Sequence, residues 1–273
     1  WLESKHALRD VLWVCSAGLV AYALALHQSS WPPMVEGFEK KTWTLCHCLA
    51  DHFQILCSIP KIFDAFVGPN RMSAKLNESI MVTVNSVNAC PYCTGLHGEL
   101  ARMAGVSEAE ALMNVKSEEE ARNLVDSPAI TFALRFGEHD GRGEAMDEAF
   151  EELAKKMGKG QAGCVRALCW FLLWGSVGGN TINSFLFGRL CCKPKARRNV
   201  LFELLFFLYY GPLFLLITIV MKLLTCFPKV PECFSAGFGA FLAVVASIWI
   251  VPVGLLAVLT KPCHPEYTAL PAL

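Results

Sequence analysis

Two charge-poor stretches near the end of the chain constrain its fold most. Residues 200–220 carry one charged side chain, Glu203, and residues 234–260 carry none. Each reaches the roughly 20 apolar residues that a membrane-spanning helix needs, so the pair predicts a transmembrane hairpin. A basic run, Lys193-Pro194-Lys195-Ala196-Arg197-Arg198, precedes the first stretch. Basic flanks stay on the inner side of a membrane. The preceding domain is therefore expected on the inner face: cytosol, matrix or stroma, with an organelle inner membrane or a thylakoid as candidate locations. The tail from Lys261 returns to that side. Glu203, a charge within a span, is expected to face protein, water or a partner and not lipid. Cys191 and Cys192 stand at the membrane edge as palmitoylation candidates, although two spans already anchor the chain.

The rest of the chain differs in character. Its charge is densest between about residues 99 and 160, while 54% of all residues are apolar and the mean hydropathy is +0.40. That asymmetry separates a soluble part from a lipid part. Lys plus Arg equals Asp plus Glu, at 24 each, and no basic groove with interleaved aromatics is visible, so nucleic acid is not an expected partner. Thirteen cysteines are many, but several lie in apolar runs (Cys15, Cys164, Cys169, Cys226). They read as small buried residues in a reducing compartment and not as a disulfide framework. Three regions follow: an N-terminal segment 1–37 with a candidate membrane helix at 11–26, just under spanning length; a helical domain at 38–190; and a membrane anchor at 191–273.

Helix signals divide the middle region. Residues 38–67 read as one helix, kinked near Pro60. Cys46, His47, Cys48 and His52 lie in it, but neighbours at i and i+1 diverge on a helix, so no metal site is expected. Ser73 is an N-cap for a helix over 74–87, with Leu76, Ile80, Val84 and Val87 along one face. Glu78 lies off that stripe and by itself reads as a solvated carboxylate. Pro91 suits the first turn of a helix that runs to about Ala104 and stops at Gly105. Ser107-Glu108-Ala109-Glu110 is a capping-box start, Ser127-Pro128 opens a helix ending near Gly141, and 144–157 is amphipathic and ends at Gly158. Residues 161–190 are apolar, yet Arg166, Asn180, Asn183 and glycines 175, 178 and 179 favour a buried helix of the domain over a span.

The chemistry concentrates in Cys90-Pro91-Tyr92-Cys93-Thr94-Gly95-Leu96-His97. A helix starting at Pro91 points its unpaired N–H groups at the sulfurs, which favours thiolate. His97, at i+4 from Cys93, shares its face, an arrangement suited to a nucleophile and its base. Two thiols at i and i+3 can close a disulfide. Read on the pair alone, a redox couple, a metal site and inert packing all stay open, with redox first because a fourth metal ligand is missing.

The wider pattern narrows this. Glu78, Cys90, Cys93 and His97, with Val87-Asn88-Ala89 before the pair and His97-Gly98-Glu99-Leu100-Ala101-Arg102-Met103-Ala104-Gly105 after it, resemble the alkyl hydroperoxidase D-like group of the carboxymuconolactone decarboxylase superfamily. The resemblance covers about residues 45–190. It implies an all-α domain that assembles into homo-oligomers. It also implies that Cys93 attacks a peroxide, that Cys90 resolves the sulfenic acid to a disulfide, and that Glu78 and His97 relay protons. An external dithiol then serves as reductant, with no bound cofactor and no metal. Some members carry a histidine just before the second cysteine; this chain has Tyr92 there. The decarboxylase branch does not depend on a Cys-x-x-Cys, so lactone decarboxylation is not expected. The apolar hairpin is no part of the usual domain and puts lipid hydroperoxides within reach. Two functions follow as expectations: a membrane-anchored thiol peroxidase or disulfide oxidoreductase, or an accessory subunit of a larger, energy-transducing membrane complex with reduced catalysis.

Overall fold

The fold is given by a computed structural model that describes residues 42–107, 109, 112, 115, 117–124, 127–186, 200–224, 226 and 232–260. The candidate membrane helix at 11–26, Cys15, residues 108 and 110 of the capping box, Cys191, Cys192, the basic run at 193–198 and the tail from Lys261 lie outside those residues. Among the described residues the chain is all-helical.

Local chemistry sets most helix ends. Helix α1 (Leu45–Val67) is capped by Thr44, whose side chain accepts from the His47 N–H, and it absorbs Pro60 without ending. Helix α2 (Ala74–Asn88) starts on Ser73, which accepts from the Leu76 N–H at 3.2 Å. Helix α3 (Pro91–Met103) opens with its proline in the first turn, as expected, and closes ahead of Gly105 at φ +79°. Helix α4 (Glu118–Leu124) is short. Helix α5 (Pro128–His139) ends in a left-handed Asp140, and α6 (Glu144–Met157) ends at Gly158, φ +83°. Helix α7 (Lys159–Asn183) continues in a wider turn to Leu186. Helices α8 (Val200–Leu224) and α9 (Glu232–Thr260) follow, each a few residues longer than the sequence suggests.

Helix α2 is the centre of the bundle. It packs against α3, α5 and α7, and nearly every side chain on it is buried. Its hydroxyl side chains bond to their own helix: Ser79 donates to the Lys75 carbonyl at 2.8 Å, and Thr83 to that of Ser79 at 2.7 Å. This bonding lets a helix of modest hydrophobicity sit at a core position. Glu78 is therefore buried, at 6% exposure, and not the solvated carboxylate its place off the apolar stripe suggests.

Among the described residues, three helices are long and apolar enough to cross a membrane: Lys159–Leu186, Leu201–Leu224 and Ala236–Thr260. They divide by burial. In the most apolar window, 78% of the first is buried in the protein, against 33% and 28% for the others. Helix α7 is thus an interior helix of the bundle, as its polar residues suggest, and α8 and α9 carry the apolar outer surface. Leu208, Leu223, Ile248 and Leu259 on that surface are all more than half exposed. Glu203 is buried, as expected for a charge within such a helix.

Helices α8 and α9 are not a tether separate from the domain. Helix α9 lies along α1, with Gly239 against Phe66 and Gly254 against Leu56, where no side chain would fit. Helix α8 packs on α3 and α7. At mid-length, Trp249 Nε1 donates to the Tyr209 carbonyl at 3.1 Å, tying α9 to α8.

A buried polar cluster joins these layers. His52 on α1 donates from Nδ1 to the Cys48 carbonyl at 2.6 Å, which leaves Nε2 as an acceptor. Nε2 accepts from the Tyr210 hydroxyl at 2.5 Å and from Trp174 Nε1 at 3.0 Å. A neutral imidazole satisfies this arrangement and an imidazolium does not. Burial accordingly pushes the His52 pKa down to about 4. The folded chain then resists a proton that the unfolded chain takes up near pH 6.5, so stability is complete above 6.5 and falls as the pH drops toward 4. The loss should approach roughly 3 kcal/mol. Thermal unfolding in detergent at pH 7 and pH 4.5 checks this. Asp51, held above its ordinary range by burial despite its ion pair with Arg142, works in the opposite sense. A non-titrating His52→Gln variant isolates the histidine: its melting temperature should depend less on pH over this window.

Candidate functional site

The site is built at the corner between α2 and α3. Ala89 turns the chain there in a left-handed conformation, φ +46°, with its N–H on the Asn85 carbonyl at 2.7 Å. An alanine in that region costs energy, and the side chain of Asn85 helps to hold the turn. Asn85 Oδ1 accepts from the Cys90 N–H at 3.2 Å, and Asn85 Nδ2 donates to Thr94 Oγ1 at 2.8 Å. From the far side, Asn180 Nδ2 on α7 donates to the Asn88 carbonyl at 2.8 Å. Cys90 thus becomes the N-cap residue of α3, with Cys93 in its first turn.

Four side chains singled out from sequence lie on the two helices that leave this corner, as two pairs. His97 Nδ1 donates to Glu78 Oε2 at 2.9 Å across the α2–α3 interface, with both side chains about nine-tenths buried. Cys90 and Cys93 are free thiols, hydrogen-bonded to each other. Their exposures are 0% and 6%, so only Cys93 has any surface open.

The expected thiolate is not the resting form. The hydrogen bond with Cys90, burial and the neighbouring sulfur all push the Cys93 thiol well above its ordinary range. A helix N-terminus contributes about 0.3–1 kcal/mol toward the anion, less than one pKa unit. The hydrogen bond with Cys90, followed by burial, outweighs it. Cys93 must therefore lose its proton during any reaction, not before it.

Glycines on α7 make room for the sulfurs, which sequence reading took only as a sign of burial. A Cβ placed on Gly175 would lie 3.5 Å from Cys93 Sγ. On Gly179 it would lie 2.5 Å from Cys90 Sγ and 3.0 Å from Phe214. Their i, i+4 spacing on a helix after a Cys-x-x-Cys was the available signal. The α8 wall carried no such signal. Phe214 meets the Tyr92 ring edge-on with centroids 5.2 Å apart, and Met221 covers Gly95. Tyr92 is packed and its phenol is pushed up by burial, so it stands as a neutral wall.

The second cysteine cluster is separate. Cys48 Sγ lies 3.5 Å from His52 Nδ1, while His47 is exposed on another face. Among the described residues no group of three His, Cys, Asp or Glu is placed to hold a metal ion.

No curated protein and no solved structure matches the chain. A family model does, over a shorter range than the 45–190 suggested by the motif. Residues 62–138, which contain Glu78, Cys90, Cys93 and His97, match it, and the chain thus carries a carboxymuconolactone decarboxylase family domain, joined to helices able to cross a membrane.

Proposed function

We propose that this domain is a thiol hydroperoxidase of the alkyl hydroperoxidase D type held at a membrane. The observation that carries the reading is a bonded Glu78–His97 pair between the same two helices that hold the bonded dithiol, with His97 one turn after Cys93 on α3. The Cys93 proton passes to the Glu78–His97 pair as the sulfur attacks the terminal oxygen of ROOH. The O–O bond breaks, Cys93 becomes a sulfenic acid, and the leaving alkoxide takes a proton from the same pair to give ROH. Cys90 then attacks the Cys93 sulfur, water leaves and the disulfide forms. The two electrons come from the thiols, and an external dithiol returns them by exchange.

A second reading, an accessory subunit of a membrane complex, draws on the near-closed site and the protonated Cys93. One measurement separates the two. The reduced full chain in detergent receives one equivalent of an organic hydroperoxide, and peptide mapping follows the thiols. The peroxidase reading expects the loss of two thiols and a Cys90–Cys93 disulfide. Free Cys90 and Cys93 at millimolar peroxide would sink it.

A further inference from the structure

The dithiol stands beside α8, not beyond its end. Helices α3 and α8 run in the same direction. Tyr92 meets Phe214, Gly95 meets Met221, and Arg102 Nη2 donates to the Leu224 carbonyl at 3.2 Å. Leu96, Leu100 and Met103 pack with Leu224, forming an apolar seam. Arg102, bonded to Glu99 on its exposed side, marks the polar end of this seam. At 1.5 Å per residue, Cys93 lies about 13 Å below the level of Arg102 along α3. The hydrocarbon core of a bilayer is about 30 Å thick. If Arg102 and the end of α8 lie at the interface, the sulfurs sit near the middle of the slab. One helix, α8, separates them from its apolar outer surface. On the opposite side, α2 and α7 and the layers behind them intervene.

We propose that the dithiol takes a hydroperoxide dissolved in the bilayer, with a hydrocarbon body, and that it enters along the α3–α8 seam, past Met221 and between Tyr92 and Leu96 on either side of Cys93. The proposal rests on the hydroperoxidase reading and specifies the phase from which the substrate comes. Met221 is unbranched and flexible, and it lies against a residue without a side chain. An apolar peroxide concentrates in this phase, whereas hydrogen peroxide must leave water to reach the sulfurs.

The test uses the full chain reconstituted in phosphatidylcholine vesicles. Disulfide formation is timed with a phospholipid hydroperoxide in the same bilayer and with hydrogen peroxide in the buffer. The lipid peroxide should react at least about tenfold faster at equal total concentration, because partition raises its local level. Met221→Trp, which fills the seam, should lower the lipid-to-aqueous rate ratio at least about fivefold, given the cost of a blocked apolar passage. Where that variant does not fold, alkylation of the wild-type chain replaces it. A long-chain alkyl maleimide should label Cys93 in the vesicle before a sulfonated maleimide does. Faster reaction with hydrogen peroxide, an unchanged ratio in the folded variant, or prior labelling by the charged reagent would each overturn the route and leave the peroxidase standing. Inertness toward both peroxides would remove the peroxidase and the route together.

Discussion

A Cys93→Ser variant will consume no hydroperoxide, whereas Cys90→Ser will take one equivalent and stop at a sulfenic acid. The asymmetry follows from position. Both sulfurs face α7, but a Cβ on Gly175 would sit in ordinary contact with Cys93, while one on Gly179 would collide with Cys90 and meet Phe214. Cys90 is thus walled by α7 and α8, and its surface is closed. Cys93 keeps a little open surface and lies one helical turn before His97. A peroxide oxygen, which must approach in line with the attacking sulfur, has room only at Cys93. The nearby Cys90 then needs no solvent path, since its only reaction is with its neighbour. Trapping with dimedone and peptide mass spectrometry reads the result. A dimedone adduct on Cys90 in the Cys93→Ser variant would reverse the assignment.

Much of this corner was legible in the sequence because its signals are local. Ser73, Pro91, Gly105, Ser127-Pro128 and Gly158 each act on a helix end a few residues away, and each appears where expected. The distances Glu78 to Cys90 and Cys93 to His97 carry the same kind of information, since two consecutive helices convert fixed spacing into contact.

What could not be read depends on contacts between distant residues. Helix α2 shows an ordinary apolar stripe, yet it is buried all round because Ser79, Thr83 and Ser86 return their hydroxyls to their own backbone. That same burial reverses the expected charge state of Cys93. The glycines of α7 look like helix defects until the sulfurs facing them are known. Hydropathy identifies α8 and α9, but it does not show that α8 packs against α3. One helix of the hairpin read as an anchor also walls the site.

The proton inventory of the site makes Glu78 the most informative remaining position. Cys93 is held protonated by its partner thiol and by burial, so its reaction at neutral pH needs a local acceptor. Glu78, bonded at 2.9 Å to His97 Nδ1, fixes the ring's orientation and leaves Nε2 to face the other way. Glu78→Gln keeps the shape and can still accept from the ring, but it removes the carboxylate that offsets charge on the imidazole. The rate of sulfenic acid formation should fall about 10²–10⁴-fold at pH 7, the range typical of a lost acid–base partner. The pH profile is the sharper measure. Without the relay, the variant depends on solvent to remove the thiol proton. Its rate should then climb about tenfold per pH unit through the neutral range, because Cys93 titrates well above it. The wild-type rate should change much less over the same range. A merely structural role for Glu78 predicts a lower melting temperature and a rate that falls by one factor at every pH. Parallel profiles for the two proteins would therefore exclude the relay even if the variant were slow.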